Sequence, residues 1–139
     1  MKNLLSVALL VITFSTNAQM VIKEAVKDSI VWRATKISNV PKLVNFYKQD
    51  VNSYTMYYRN GKYTAIVDIN YLTLGEKDVA VQFFELLLSV ITSGEKVNIE
   101  LDDKAWIVSK SMNGVSIFSI SSSFFLTKNQ VEDVLEILR

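Results

Sequence analysis

Residues 54–71 read Tyr54-Thr55-Met56-Tyr57-Tyr58-Arg59-Asn60-Gly61-Lys62-Tyr63-Thr64-Ala65-Ile66-Val67-Asp68-Ile69-Asn70-Tyr71: two alternating, β-prone runs on either side of an Asn-Gly pair. Asn and Gly take the two positive φ values of a type I′ turn more readily than other residues, so the stretch predicts a β-hairpin. A two-residue turn pairs Arg59 with Lys62, Tyr58 with Tyr63, Met56 with Ala65 and Tyr54 with Val67. Side chains alternate along a strand. Tyr54, Met56, Tyr58, Tyr63, Ala65, Val67, Ile69 and Tyr71 then gather on a core face, while Thr55, Tyr57, Arg59, Lys62, Thr64, Asp68 and Asn70 point the other way with Ile66.

Upstream, residues 29–37 have the β-branched and aromatic content of a strand. Pro41, the only proline, suits the start of a short helix capped by Asn39 or Val40, with Leu43, Val44 and Tyr47 on one face and an end near Gln49. Downstream, Thr73-Leu74-Gly75-Glu76 has the spacing of a capping box, and a helix is expected from about Glu76 to Thr92, stopped by Ser93-Gly94. That helix has little polar circumference, which implies burial on more than one side. Either the sheet and other helices wrap it, or it forms a homodimer interface through Phe83, Phe84, Leu87 and Leu88. Val97, Ile99 and Leu101 alternate with Asn98, Glu100 and Asp102 in a strand that turns at Asp102-Asp103-Lys104. Residues 105–111 and 115–125 make a second hairpin around Asn113-Gly114. A last helix follows the capping spacing Thr127-Lys128-Asn129-Gln130 and buries Val131, Val134, Leu135 and Leu138.

Strands joined mostly by hairpins and punctuated by helices define the α+β class. The expected order is β-α-ββ-α-βββ-α, an antiparallel sheet of about five to six strands with two to three helices. An internal ββα repeat is also suggested, because an Asn-Gly pair, a strand and a capped helix occur twice. From asparagine to leucine the separations are 12 residues (60 to 72) and 13 (113 to 126). A β-bulge within Ser121-Ser122-Ser123 would absorb the difference.

The amino-terminal residues 1–18 have a basic start, an apolar run at 4–14 and small residues at Thr16 and Ala18, the pattern of a signal peptide cut before Gln19. Residues 19–139 then form a single domain in the bacterial periplasm or outside the cell, with no stable membrane anchor after cleavage. The full chain carries a formal charge of +1, and only Lys2 is charged in the leader, so the mature chain is neutral. A neutral chain has no long-range field to gather nucleic acid. With no cysteine there is neither a lipid anchor at the cleavage site nor a disulfide, so stability must come from burial.

The absence of histidine and cysteine removes Ser-His-Asp and Cys-His catalysis and nearly all transition-metal sites. The four glycines are isolated and form no phosphate loop, so neither a metal nor a cofactor is expected. Asp68, Glu100, Asp102 and Asp103 are the candidate suppliers for carboxylate chemistry. Tyr54, Tyr58, Tyr63 and Tyr71 fall on the expected core face, and Trp32 and Trp106 in strands. Tyr57 projects from the polar face with Arg59 and Lys62, which makes these three the candidate binding residues. The sequence therefore points to a small exported, non-catalytic binding protein whose partner is another protein, an inhibitor or immunity-type protein being one form. The alternative is a carboxylate-dependent hydrolase acting in the envelope.

Overall fold

The computed structural model describes residues 27–34, 40–48, 51–63 and 66–139; the expected leader lies outside them. The elements are β1 (Lys27–Arg33), β2 (Lys42–Lys48), β3 (Val51–Arg59), β4 (Ile69–Gly75), α1 (Lys77–Ser93), β5 (Val97–Leu101), β6 (Lys104–Ser111), β7 (Gly114–Phe118), β8 (Ser123–Thr127) and α2 (Lys128–Leu138). The class is α+β. Its strands form two four-stranded antiparallel sheets, β1-β2-β3-β4 and β5-β6-β7-β8, rather than one sheet of five or six. Each half of the chain is a meander followed by a helix.

The segment after Pro41 is a strand, not a helix. Val44, Phe46 and Tyr47 are β-branched or aromatic, and β2 sits between β1 and β3, where the ladder bonds on both sides outweigh a weak local helix signal. Leu43 faces the core opposite Met56. The Asn60-Gly61 hairpin also closes differently. Tyr58 lies opposite Asn70, Tyr57 opposite Tyr71 and Met56 opposite Leu72, so the connection runs from 60 to 68 instead of turning in two residues. This register buries Leu72 and Leu74, and leaves Tyr63, Val67, Ile69 and Tyr71 exposed by 49%, 70%, 46% and 60%. Two aliphatic side chains inside decide the pairing, since each stabilises by about 1.5–3 kcal/mol when fully buried. Tyr54, Met56 and Tyr58 are buried as expected, and Ala65 lies outside the described residues.

Because β4 continues to Gly75, Thr73 stays in the strand and Glu76 becomes the N-cap of α1 without a side-chain cap bond. Gly94 ends α1 in the left-handed region, φ 75°, its N–H donating to the Val90 carbonyl at 2.8 Å. The capping box of α2 forms in full: Gln130 N–H donates to Thr127 Oγ1 at 3.2 Å, and Thr127 N–H to Gln130 Oε1 at 3.0 Å. The turn at Asp102-Asp103 has positive φ at both residues, 52° and 58°. The expected strand 115–125 is two strands, β7 and β8, because a tight turn replaces the bulge and Ser119 N–H donates to the Ser122 carbonyl at 2.8 Å. One residue earlier than expected, the β6–β7 turn falls on Met112-Asn113, with Ser111 opposite Gly114. Asn60-Gly61 and Asn113-Gly114 therefore sit in different connections of the two halves, and the unit that recurs is ββββα.

Helix α1 packs against β3 and β4 of the first sheet, β6 and β7 of the second, and α2. Ala80, Phe83, Phe84, Leu87, Val90 and Ile91 are buried there, which accounts for its scarcity of polar positions. Phe83, Phe84 and Leu87 are buried inside the chain, and Leu88 is half-buried. Trp32 and Trp106 join the same core.

Gly114 has no room for a side chain, since a Cβ there would stand 2.2 Å from the Leu126 carbonyl oxygen and 2.6 Å from Phe125 Cζ. Gly114→Ala should cost about 1–3 kcal/mol of overpacking, and Thr127→Ala about 1 kcal/mol through the lost cap. Chemical denaturation of each variant against the parent checks both.

Candidate functional site

Alternation divides each sheet into a face under the helices and a face turned away. On the first sheet the outward positions include Ile30 and Arg33 of β1, Lys42, Val44 and Phe46 of β2, Thr55, Tyr57 and Arg59 of β3, and Ile69 and Tyr71 of β4, of which Val44 and Thr55 are buried. Lys42, Tyr57 and Tyr71 form one row across three strands. The two rings are 6.1 Å apart and tilted by 44°, and Lys42 Nζ lies 5.4 Å from the Tyr57 ring centre. This is cation–π geometry on an aromatic pair. Arg33 pairs with Lys42 and Arg59 with Ile69, so three cations border the two tyrosines. No described outward position of β2, β3 or β4 carries a carboxylate.

Of the three residues singled out by sequence, Tyr57 and Arg59 thus share this face. Lys62 does not. It lies in the β3–β4 connection, where its Nζ donates to the Ile120 carbonyl in the β7–β8 turn. Sequence reasoning missed Tyr71 because the assumed hairpin phase turned it inward. Lys42 was missed because its segment was read as a helix.

Lys62 belongs to a polar lock between equivalent connections of the two halves. Asn60, only 1% exposed, donates from Nδ2 to Asp68 Oδ2 at 3.1 Å and to the Ser121 carbonyl at 3.0 Å. Its Oδ1 accepts from Lys62 N–H at 3.1 Å and from Ser123 N–H at 3.0 Å. Gly61 N–H donates to the Ser123 carbonyl at 2.7 Å. Beside them the Tyr58 hydroxyl and Ser122 Oγ are 2.9 Å apart. Burial pushes the Tyr58 hydroxyl above its ordinary pKa of 10.0, the Ser122 hydrogen bond opposing this and the Asp68 charge adding to it. The serines at 119–123 were the sequence signal for this contact, and their polarity serves the lock rather than a bulged edge.

Asp68 is taken up in the lock, where its Oδ2 also accepts from Asn70 Nδ2 at 3.0 Å. Asp102 and Asp103 form the β5–β6 turn, about two strand spacings, or 10 Å, along the second sheet from the β7–β8 turn. Glu100 is exposed on β5. A shallow depression at the start of α1 does hold Glu76 and Asp78 with Lys77, Val51 and Asn52. Those carboxylates are exposed and stand where the helix dipole favours negative charge, which explains them without chemistry. Among the described residues no group of three or more Asp or Glu side chains is placed to hold a metal ion. No protein-family model, curated protein or solved structure matches the chain.

Since the folded Tyr58 holds its proton above the pH at which the unfolded side chain releases it, its contribution is fully present below pH 10.0 and is lost as pH rises through the higher folded value. Alkaline denaturation should therefore be steeper in the parent than in Tyr58→Phe, read by near-ultraviolet circular dichroism across that range. Asn60→Ala, which strands partners on both halves, should cost about 2–3 kcal/mol in urea unfolding.

Proposed function

We propose that this chain is a small exported, non-catalytic binding protein whose outer face on the first sheet holds an acidic segment of another protein. The observation that carries the reading is the Tyr57–Tyr71 pair bordered by Arg33, Lys42 and Arg59, with no carboxylate at the described outward positions of β2, β3 and β4. Aromatic rings supply contact area at little entropic cost, and arginine is enriched at the centres of interfaces. The export pattern of residues 1–18 supports an encounter in the periplasm or outside the cell. An inhibitor or immunity-type protein fits this description, since neutralising a partner needs a complementary surface and no reaction. The excess of positive charge is local, because the mature chain is neutral, so orientation rather than long-range attraction should dominate recognition.

Affinity capture from the native envelope with the purified protein, repeated with Tyr57→Ala/Tyr71→Ala and with Arg59→Glu, tests the reading. A partner with an acidic contact segment should be lost from both variants, with affinity falling about 30-fold or more for a central contact. Binding should also weaken as salt is raised. Equal capture by parent and variants would rule out this face.

A further inference from the structure

We infer that Asn60-Gly61 is a latent modification site, a deamidation point closed by the lock and opened only when the β3–β4 and β7–β8 connections part. In an Asn-Gly pair the glycine nitrogen, after losing its proton, attacks the asparagine Cγ. A five-membered succinimide forms as ammonia leaves. Water then adds to one of the two imide carbonyls, breaking its bond to the ring nitrogen and giving aspartate or isoaspartate. Glycine favours this because no Cβ obstructs the approach.

In the folded chain every requirement is withheld. Gly61 N–H is committed to the Ser123 carbonyl at 2.7 Å, which holds the nucleophile. The carboxamide is fixed by four hydrogen bonds, to Asp68, Ser121, Lys62 and Ser123. At 1% exposure the side chain is also shielded from the water that would open the imide. Three of these restraints come from the β7–β8 turn, at Ser121 and Ser123. Local separation of the two connections releases them together, the kind of sub-global opening that precedes global unfolding.

The product cannot close the lock again. Aspartate at position 60 has no N–H to give to Asp68 Oδ2 or to the Ser121 carbonyl, and it sets a second carboxylate within 3.1 Å of the first. Isoaspartate also lengthens the main chain between Cα and Gly61 N, displacing the donor that meets Ser123. A reversible opening thus becomes a permanent one.

The test is the rate of Asn60 conversion at mildly alkaline pH, followed by peptide mass spectrometry on the folded protein and in urea. Conversion should be at least about tenfold slower in the folded protein, and Asp68→Ala, still folded, should convert faster than the parent. Equal rates folded and unfolded would overturn the inference. For the product, Asn60→Asp should unfold at lower urea, and Asn60→Asp/Asp68→Asn should recover much of the loss by restoring a donor and removing the like charge. An Asn60→Asp chain as stable as the parent would refute the permanent opening. If that variant fails to fold, the double variant and the folded-state rate still decide.

Discussion

Tyr58 is the side chain on which the arrangement of the two halves depends. It projects inward from β3, stacks on Phe124 of β8 at 4.2 Å and 18°, and meets Trp106 of β6 edge-on at 6.3 Å and 87°. Its hydroxyl reaches Ser122. Offset and edge-on pairs are each worth about 0.5–1.5 kcal/mol beyond area burial, and here both are made across the sheets. An apolar residue at this position would fill the volume and lose the hydroxyl contact that aligns the core with the loops above it. The phenol therefore couples a non-directional core to a directional lock.

The two contributions differ in size and in kind. Five large buried side chains on α1, Phe83, Phe84, Leu87, Val90 and Ile91, at about 1.5–3 kcal/mol each, give roughly 8–15 kcal/mol of burial shared between the two halves. The hydrogen bonds around Asn60 contribute about 1 kcal/mol each in net terms. Cohesion comes from the helix, and register comes from the lock. Sliding one sheet over the helices by a strand spacing would break the Tyr58–Phe124 stack and strand the Asn60 carboxamide, Asp68 and Ser122 together. Buried polar groups that are fully paired specify a single arrangement because each alternative leaves several of them unpaired.

Much of this was legible in the sequence where local signals and tertiary demands agree. The boundaries of α1, the Gly94 stop, the Thr127 capping box, β5 and its two-residue turn all follow from periodicity and turn chemistry within a few residues. The failures share a cause: a strong local signal met a stronger non-local one. Pro41 resembles a helix start, but a segment flanked by two β partners becomes the second strand. Asn60-Gly61 resembles a tight hairpin, yet the pairing is decided by Leu72 and Leu74, more than ten residues away, and the asparagine is taken for the contact between halves. Tyr71 was lost with that register, and Lys42 with the helix reading of its segment. Tyr57 and Arg59 could be placed by alternation along β3, whereas Tyr71 and Lys42 needed the strand order.

The second sheet shows why the outer face of the first is distinctive. Its own outward rows carry Asn98, Ile107, Phe118 and Ser123, then Ser109, Ser116 and Phe125. Phe125 lies over Gly114 while staying 41% exposed, and Phe118 is flanked by Lys96 at 6.0 Å. In the first sheet the corresponding positions hold two tyrosines, two isoleucines on opposite edges, Ile30 and Ile69, and three cations, with Tyr71 more than half exposed. Both halves face the same folding problem, and the named outward rows of the second hold phenylalanine and isoleucine but neither tyrosine nor a cation. That difference in aromatic and cationic content is what the proposed binding role rests on.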